Sequence, residues 1–232
     1  MASIFESQRV TWRAGAGWLV LIGGTSDQWR ATEAIDRAAI GLMDRDRPIA
    51  FVPAAACPPD YGESFLATYH RLGAPRGYVV PVQDRASASD PANTELLRRA
   101  GLIYFGGGET VQLLETVTGT PALEAVAAAH NAGAVIVGMS AGAIALAELG
   151  VPLNLNIGVL QGWGWLPRTI VSVHHTPERQ SELRRALLDR PDMLGVGLPE
   201  DAAVALGPDG QVHTWGAREL TVTAGRHFRP GD

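Results

Sequence analysis

Short, unbroken apolar runs recur through the first two thirds of the chain. They are Trp18 to Ile22, Pro48 to Val52, Gly77 to Val80, Leu102 to Phe105 and Ala134 to Val137. No polar residue alternates with the apolar ones, so each reads as a strand buried on both faces. Between them lie stretches with apolar residues at helical spacing: Ala31 to Met43, Phe65 to Leu72, Ala92 to Ala100, Thr110 to Val117 and Pro121 to Ala132. Strands alternating with helices predict a mostly parallel sheet with right-handed crossovers, a three-layer α/β/α sandwich. An alanine-rich helical run, Ala141 to Glu148, follows the fifth strand. After an irregular stretch, Gly158 to Pro167, the pattern resumes with strand Thr169 to Val173 and helix Pro177 to Leu188. The tail from Gly195 reads as short strands, with a hairpin signal at Gly207-Pro208-Asp209-Gly210. No repeat or low-complexity linker intervenes. One domain is expected over residues 1–232, with 1–15 as an N-terminal extension or edge segment.

Composition narrows the classes of function. The chain has 232 residues, and a hydrophobic fraction of 46% is ample for one sizeable core. A net charge of −5 with no basic patch argues against a nucleic-acid partner. Cys57 is the only cysteine, which excludes an intramolecular disulfide and a cysteine metal cluster and fits a reducing compartment. Set between Ala54-Ala55-Ala56 and Pro58-Pro59, it reads as a small packed residue at a strand end. Met1 to Gly17 holds Glu6, Arg9 and Arg13 and no apolar core segment, so no secretory signal is expected. The apolar runs are too short to span a bilayer. A cytoplasmic protein without a membrane partner is the expectation.

The most informative stretch is Gly138-Met139-Ser140-Ala141-Gly142. Strand, glycine-flanked serine and helix form the nucleophile-elbow pattern. The glycines mark where the backbone bends tightly or passes close to other chain. The turn lifts the serine hydroxyl above the sheet edge, and the N–H of Ala141 points the same way. The competing reading is a plain Gly/Ser turn. A second donor set comes from Gly106-Gly107-Gly108, which follows a strand and precedes a helix. Bare glycine N–H groups there suit developing negative charge. A phosphate cradle is disfavoured, since the run lacks a Gly-Lys-Ser/Thr ending and is not G-x-G-x-x-G.

A serine nucleophile needs a base. His174 and His175 end the strand Thr169 to Val173. Strand alternation points their rings in opposite directions, so only one can face Ser140. The alternative is that both crown a strand end in solvent. Trp163 and Trp165 either wall a pocket or pack over the sheet edge. Arg168 and Arg179 either hold a substrate carboxylate or are solvated charges.

Phe105-Gly106-Gly107-Gly108-Glu109-Thr110-Val111-Gln112-Leu113-Leu114 resembles the glycine segment of peptidase family S51, which holds dipeptidase E and cyanophycinase. Gly138 to Ala143 resembles its nucleophile motif. His174-His175 with Arg179 and Arg184 is similar to its histidine segment, and Gly195-Val196-Gly197-Leu198-Pro199-Glu200 to the run that follows. The likeness extends from about Gly17 to Trp215. It implies a class I glutamine amidotransferase-like (flavodoxin-like) sandwich, with serine replacing that fold's usual cysteine. It implies a serine peptidase cutting an amide in a small peptide or isopeptide.

Carried over by position, Ser140 is the nucleophile. His175 is the base, because Arg179 lies four positions after it. Gly107 or Gly108 and Ala141 are the oxyanion donors. The family's acid lies between nucleophile and histidine, but Leu149 to Gln161 contains no Asp or Glu. The nearest match is Asn154 or Asn156, with Asn154 the candidate to orient the histidine. Glu109, His174, Arg179 and Trp163 are the candidate substrate contacts. No metal or organic cofactor is implied. The expected partner is the small peptide substrate, with a homodimer left open. The main rival is a non-catalytic binding module on the same fold, supported by the missing acid. A glutamine amidotransferase-type domain is disfavoured, because that chemistry uses cysteine at the elbow.

Overall fold

A computed structural model of the protein describes residues 10–25 and 31–229. The expected N-terminal extension, 1–15, lies outside the described residues as far as position 9.

The five apolar runs form strands β1 (Trp18–Ile22), β2 (Ile49–Val52), β3 (Gly77–Val79), β4 (Leu102–Phe105) and β5 (Val135–Met139). They pair in parallel in the order β1-β5-β4-β2-β3. Later in the chain come β6 (Ala147–Val151), β7 (Leu160–Gln161), β8 (Leu166–Val173), β9 (Leu194–Leu198), β10 (Ala202–Leu206), β11 (Val212–Gly216) and β12 (Thr221–Ala224). β10 and β11 extend the main sheet beyond β1 as an antiparallel hairpin, closed where Gly207 N–H donates to Gln211 O at the predicted turn.

Alternation along each main strand divides its side chains between two cores. Leu19, Leu21, Ile103, Phe105 and Ile136 face one; Val20, Ile22, Leu102, Tyr104, Val135 and Val137 face the other. Helices α1 (Glu33–Leu42) and α2 (Tyr61–Arg71) cover the second core. Helices α3 (Pro91–Arg99), α4 (Thr110–Val117), α5 (Pro121–Asn131) and α6 (Ala141–Leu146) cover the first. This is the sandwich the sequence predicts. One carboxylate is sealed into the second core: Asp36 of α1 is fully buried. It accepts from Tyr69 Oη at 2.7 Å and Thr32 Oγ1 at 3.0 Å, and burial pushes its pKa up to about 6.

One feature goes beyond the predicted architecture. The histidine strand β8 lies in a second, five-stranded sheet, β12-β9-β8-β6-β7. Helix α7 (Gln180–Leu188) covers one face of this sheet through Leu183, Ala186 and Leu187. Val171, Val173, Val196 and Leu198 on the other face join the first core with α6. Helix α6 is therefore enclosed, with all six residues buried. The helical run expected to reach Glu148 stops at Leu146. Pairing of β6 with β8 overrides the helix propensity of the segment. Glu148 is thus a strand residue, and its carboxylate accepts from Arg168 N–H at 2.7 Å.

The two sheets meet at the carboxyl end of β1. There Gly23 O accepts from His174 N–H at 2.9 Å, and Gly24 O accepts from Asp201 N–H at 3.0 Å. This junction carries the site.

Candidate active site

Ser140 occupies the turn between β5 and α6 with φ 51° and ψ −105°, a conformation that costs energy for a residue with a Cβ. The surroundings hold it there. Its N–H donates to Ile22 O at 2.9 Å, and its carbonyl accepts from Ile144 N–H at 3.1 Å. A Cβ on Gly138 would meet Gly142 O at 2.4 Å, and one on Gly142 would meet Phe105 O at 2.4 Å. Both flanking glycines are thus required by close backbone approach, as the motif predicts.

Ser140 Oγ lies 2.9 Å from Nε2 of His174. The opposite nitrogen, Nδ1, lies 2.9 Å from Glu200 Oε1. A carboxylate cannot donate, so Nδ1 carries a hydrogen toward Glu200. Nε2 is then the acceptor for the serine hydroxyl. Serine, imidazole and carboxylate form one hydrogen-bonded chain, the arrangement that activates a hydroxyl. Its members come from three strand ends: Ser140 after β5, His174 after β8 and Glu200 after β9. His174 has φ 46°, and its ring lies over Gly24, where a Cβ would come within 2.3 Å of Cε1.

The sequence-based assignment of the histidines is thereby corrected. His175 does not approach Ser140. It is buried on the other side of the strand end, against Gly197. Its Nδ1 lies 3.1 Å from Ser172 Oγ and its Nε2 2.9 Å from Gln180 Oε1. Gln180 Nε2 donates to Thr223 Oγ1, so Gln180 Oε1 accepts from His175 Nε2–H. Burial lowers the pKa of His175. His174, expected only as a substrate contact, takes the place expected for His175. Asn154 is hydrogen-bonded to neither histidine. It is an exposed loop residue whose Oδ1 accepts from Asn156 N–H at 3.1 Å. The carboxylate absent between serine and histidine is supplied from beyond both, by Glu200.

The glycine loop lies where expected. A Cβ on Gly107 would stand 3.4 Å from Ser140 Cβ, so its backbone runs beside the nucleophile. Gly108 packs on Ala55, whose carbonyl accepts from Glu109 N–H at 2.9 Å. Ala141 is the first residue of α6. The Glu109 side chain is exposed at the mouth of this loop. Cys57 lies against the loop, with Sγ 3.5 Å from Gly107 O, and burial raises its pKa, which disfavours the reactive thiolate.

Two other predicted contacts are structural. Arg179 donates to Val173 O, to Pro152 O at 2.8 Å and to Glu182 Oε2 at 2.7 Å, clamping the end of β8 to α7. Trp163 donates to Thr118 Oγ1 at 3.2 Å and packs edge-on against Phe105, bracing the strand that feeds the glycine loop. Among the described residues no group of three or more His, Cys, Asp or Glu is gathered for a metal, and no helix is long and apolar enough to cross a membrane.

A model of peptidase family S51 matches residues 19–213. Over 219 residues the chain is 26% identical to a cyanophycinase of Geminocystis herdmanii (strain PCC 6308), covering 90% of this chain and 80% of that relative. It is 27% identical over 217 residues to a cyanophycinase of Synechococcus elongatus, covering 89% of this chain and 67% of that one. Among solved structures, a peptidase from an acI-B1 Actinobacterium superimposes with a TM-score of 0.73 at 22% identity, over 91% of this chain and 93% of that chain. At that identity the likeness establishes a shared fold.

Proposed function

The chain belongs to peptidase family S51, and from that membership we propose a serine hydrolase that cleaves an amide bond in a small peptide or isopeptide. The observation that carries this reading is the continuous chain from Ser140 Oγ through His174 to Glu200, with both contacts at 2.9 Å. Ser140 Oγ attacks the scissile carbonyl while His174 Nε2 takes its proton. Glu200 holds the ring and stabilises the imidazolium that forms. The N–H groups of Ala141 and of Gly107 or Gly108 stabilise the oxyanion. His174 then returns the proton to the leaving amine, and water hydrolyses the acyl-enzyme by the reverse path. Glu109, exposed beside the donor loop, is a substrate contact in this reading. The isopeptide arm draws on the cyanophycinase relatives. A reducing cytoplasm suits the free Cys57.

A non-catalytic binding module needs no such hydrogen-bonded chain, and the missing acid that favoured it is met by Glu200. The test is a fluorophosphonate probe together with a screen of dipeptides and isopeptides. Wild type should label stoichiometrically at Ser140 and turn over a member of the screen. Ser140→Ala should lose labelling and on the order of 10⁶ in rate. Unchanged turnover in Ser140→Ala would sink the assignment.

A further inference from the structure

The second core runs up to the glycine loop, and Met139 reaches from one to the other. It is the last residue of β5 and directly precedes Ser140. Its side chain faces the second core with Val135 and Val137. Tyr104 of β4 pairs opposite Val137, so its ring lies diagonal to Met139 on the same face. Tyr104 is fully buried, and its Oη lies 3.5 Å from Met139 Sδ. A buried phenol needs an acceptor. Burial holds the Tyr104 pKa well above the ordinary tyrosine range, so the hydroxyl keeps its proton and donates. Among the described residues the thioether is the acceptor it finds.

The far end of the Met139 side chain touches the site. A Cβ on Gly107 would stand 3.7 Å from Met139 Cε as well as 3.4 Å from Ser140 Cβ. Gly107 therefore turns one face to both the nucleophile and the methionine methyl. Gly106 lies over Phe51 and Cys57, at 3.4 Å and 3.6 Å by the same measure. The glycines have no side chains to hold them, so their height above Ser140 is set by what they rest on. Methionine suits that place. Its unbranched chain fills an irregular gap, and its sulfur can be fixed by a donor.

We infer that Met139 is a positioning residue for the proposed hydrolysis: its Cε methyl supports Gly107, Tyr104 Oη fixes its thioether, and together they set the gap between the oxyanion donors and Ser140. This rests on the serine-hydrolase reading, in which the glycine loop supplies oxyanion N–H groups. A displaced donor weakens the transition state and leaves ground-state binding nearly untouched. The loss therefore falls on kcat, which a purely packing role does not require.

Steady-state kinetics on a peptide from the screen, together with the rate of fluorophosphonate labelling at Ser140, tests this. Met139→Ala opens space beneath Gly107 and should lower kcat about 10²-fold with KM within about threefold. Met139→Leu refills that space without the acceptor and should recover at least about tenfold of the loss. Tyr104→Phe keeps the ring packing and carries the test should Met139→Ala fail to fold. It should lower kcat and the labelling rate roughly three- to tenfold in the wild-type background and cause no further loss in Met139→Leu. Three results each overturn the inference: a Met139→Ala kcat within about threefold of wild type, no recovery in Met139→Leu, or a Tyr104→Phe effect that is absent or equal in both backgrounds. Ser140→Ala run alongside separates the two failures. Turnover that survives in Ser140→Ala sinks the hydrolase reading, whereas an inactive Ser140→Ala beside a fully active Met139→Ala sinks only the role of Met139.

Discussion

Glu200 Oε1 lies 2.9 Å from His174 Nδ1, although 26 residues separate the two in the chain. The cause is strand register. β8 and β9 pair in parallel with Val173 opposite Leu198, so the residues that follow each strand emerge side by side at the same edge. A neutral amide at position 200 would still reach the ring but would not stabilise an imidazolium by charge. Glu200→Gln should lower kcat on the order of 10² to 10⁴ while leaving KM within a few-fold. Steady-state kinetics on a substrate from the peptide screen checks this; a kcat within threefold of wild type would remove Glu200 from the mechanism.

That register also marks the limit of what the sequence reveals. The five main strands, the serine elbow and the glycine loop are each written in a contiguous segment, so local pattern locates them. Alternation leads to the expectation that only one of His174 and His175 faces Ser140. It does not say which, because alternation holds only inside the strand. β8 ends at Val173, and His174, with φ 46°, has already left strand geometry. Glu200 is the last residue of the Gly195-to-Glu200 run and the first carboxylate after that apolar strand. A search confined to the segment between serine and histidine settles on Asn154 instead. Which strand ends share an edge is a property of pairing, and one-dimensional pattern does not contain it. The same is true of the second sheet, which turns the end of an apparent helix at Glu148 into strand.

The two histidines should behave differently on truncation. His174→Ala should match Ser140→Ala in lost activity, because base and nucleophile act as a unit. His175→Ala removes a buried ring from Ser172, Gln180 and Gly197 but touches no reacting atom. It should cost about 1–3 kcal/mol of stability and keep kcat within roughly tenfold of wild type. Parallel kinetics and urea unfolding of both variants test the distinction. Greater loss in His175→Ala than in His174→Ala would reverse the roles.

Gly24 is the floor on which the His174 ring rests. With φ 146° and a Cβ position 2.3 Å from Cε1, alanine there must displace the ring or the backbone. A displacement near 1 Å at a catalytic group costs about 10² in rate, so Gly24→Ala should lose at least that much kcat. Gly41 in α1 provides the control, since a Cβ there meets nothing within 4 Å. Gly41→Ala should leave kcat unchanged and raise stability by about 0.5–1 kcal/mol. Equal activity in the two variants would show that the His174 ring does not depend on Gly24.

Asp36 gives stability a pH dependence of its own. Burial lifts its pKa from 3.8 to about 6, so the folded protein binds this proton more tightly than the unfolded chain. The stability it contributes is complete below about pH 4 and is lost as pH rises through about 6. Asparagine is neutral at every pH and can still accept from Tyr69 Oη while its amide donates to Thr32 Oγ1. Asp36→Asn should therefore gain on wild type as pH rises from 4 to 8, by up to roughly 3 kcal/mol at about 1.4 kcal/mol per unit. Other titrating groups are common to both proteins and cancel in the difference. Urea unfolding of both at pH 4, 6 and 8 reads it directly. A gap between the two proteins that stays constant across this range would mean that Asp36 keeps one protonation state throughout, and that Tyr69 and Thr32 offset the cost of burying its charge.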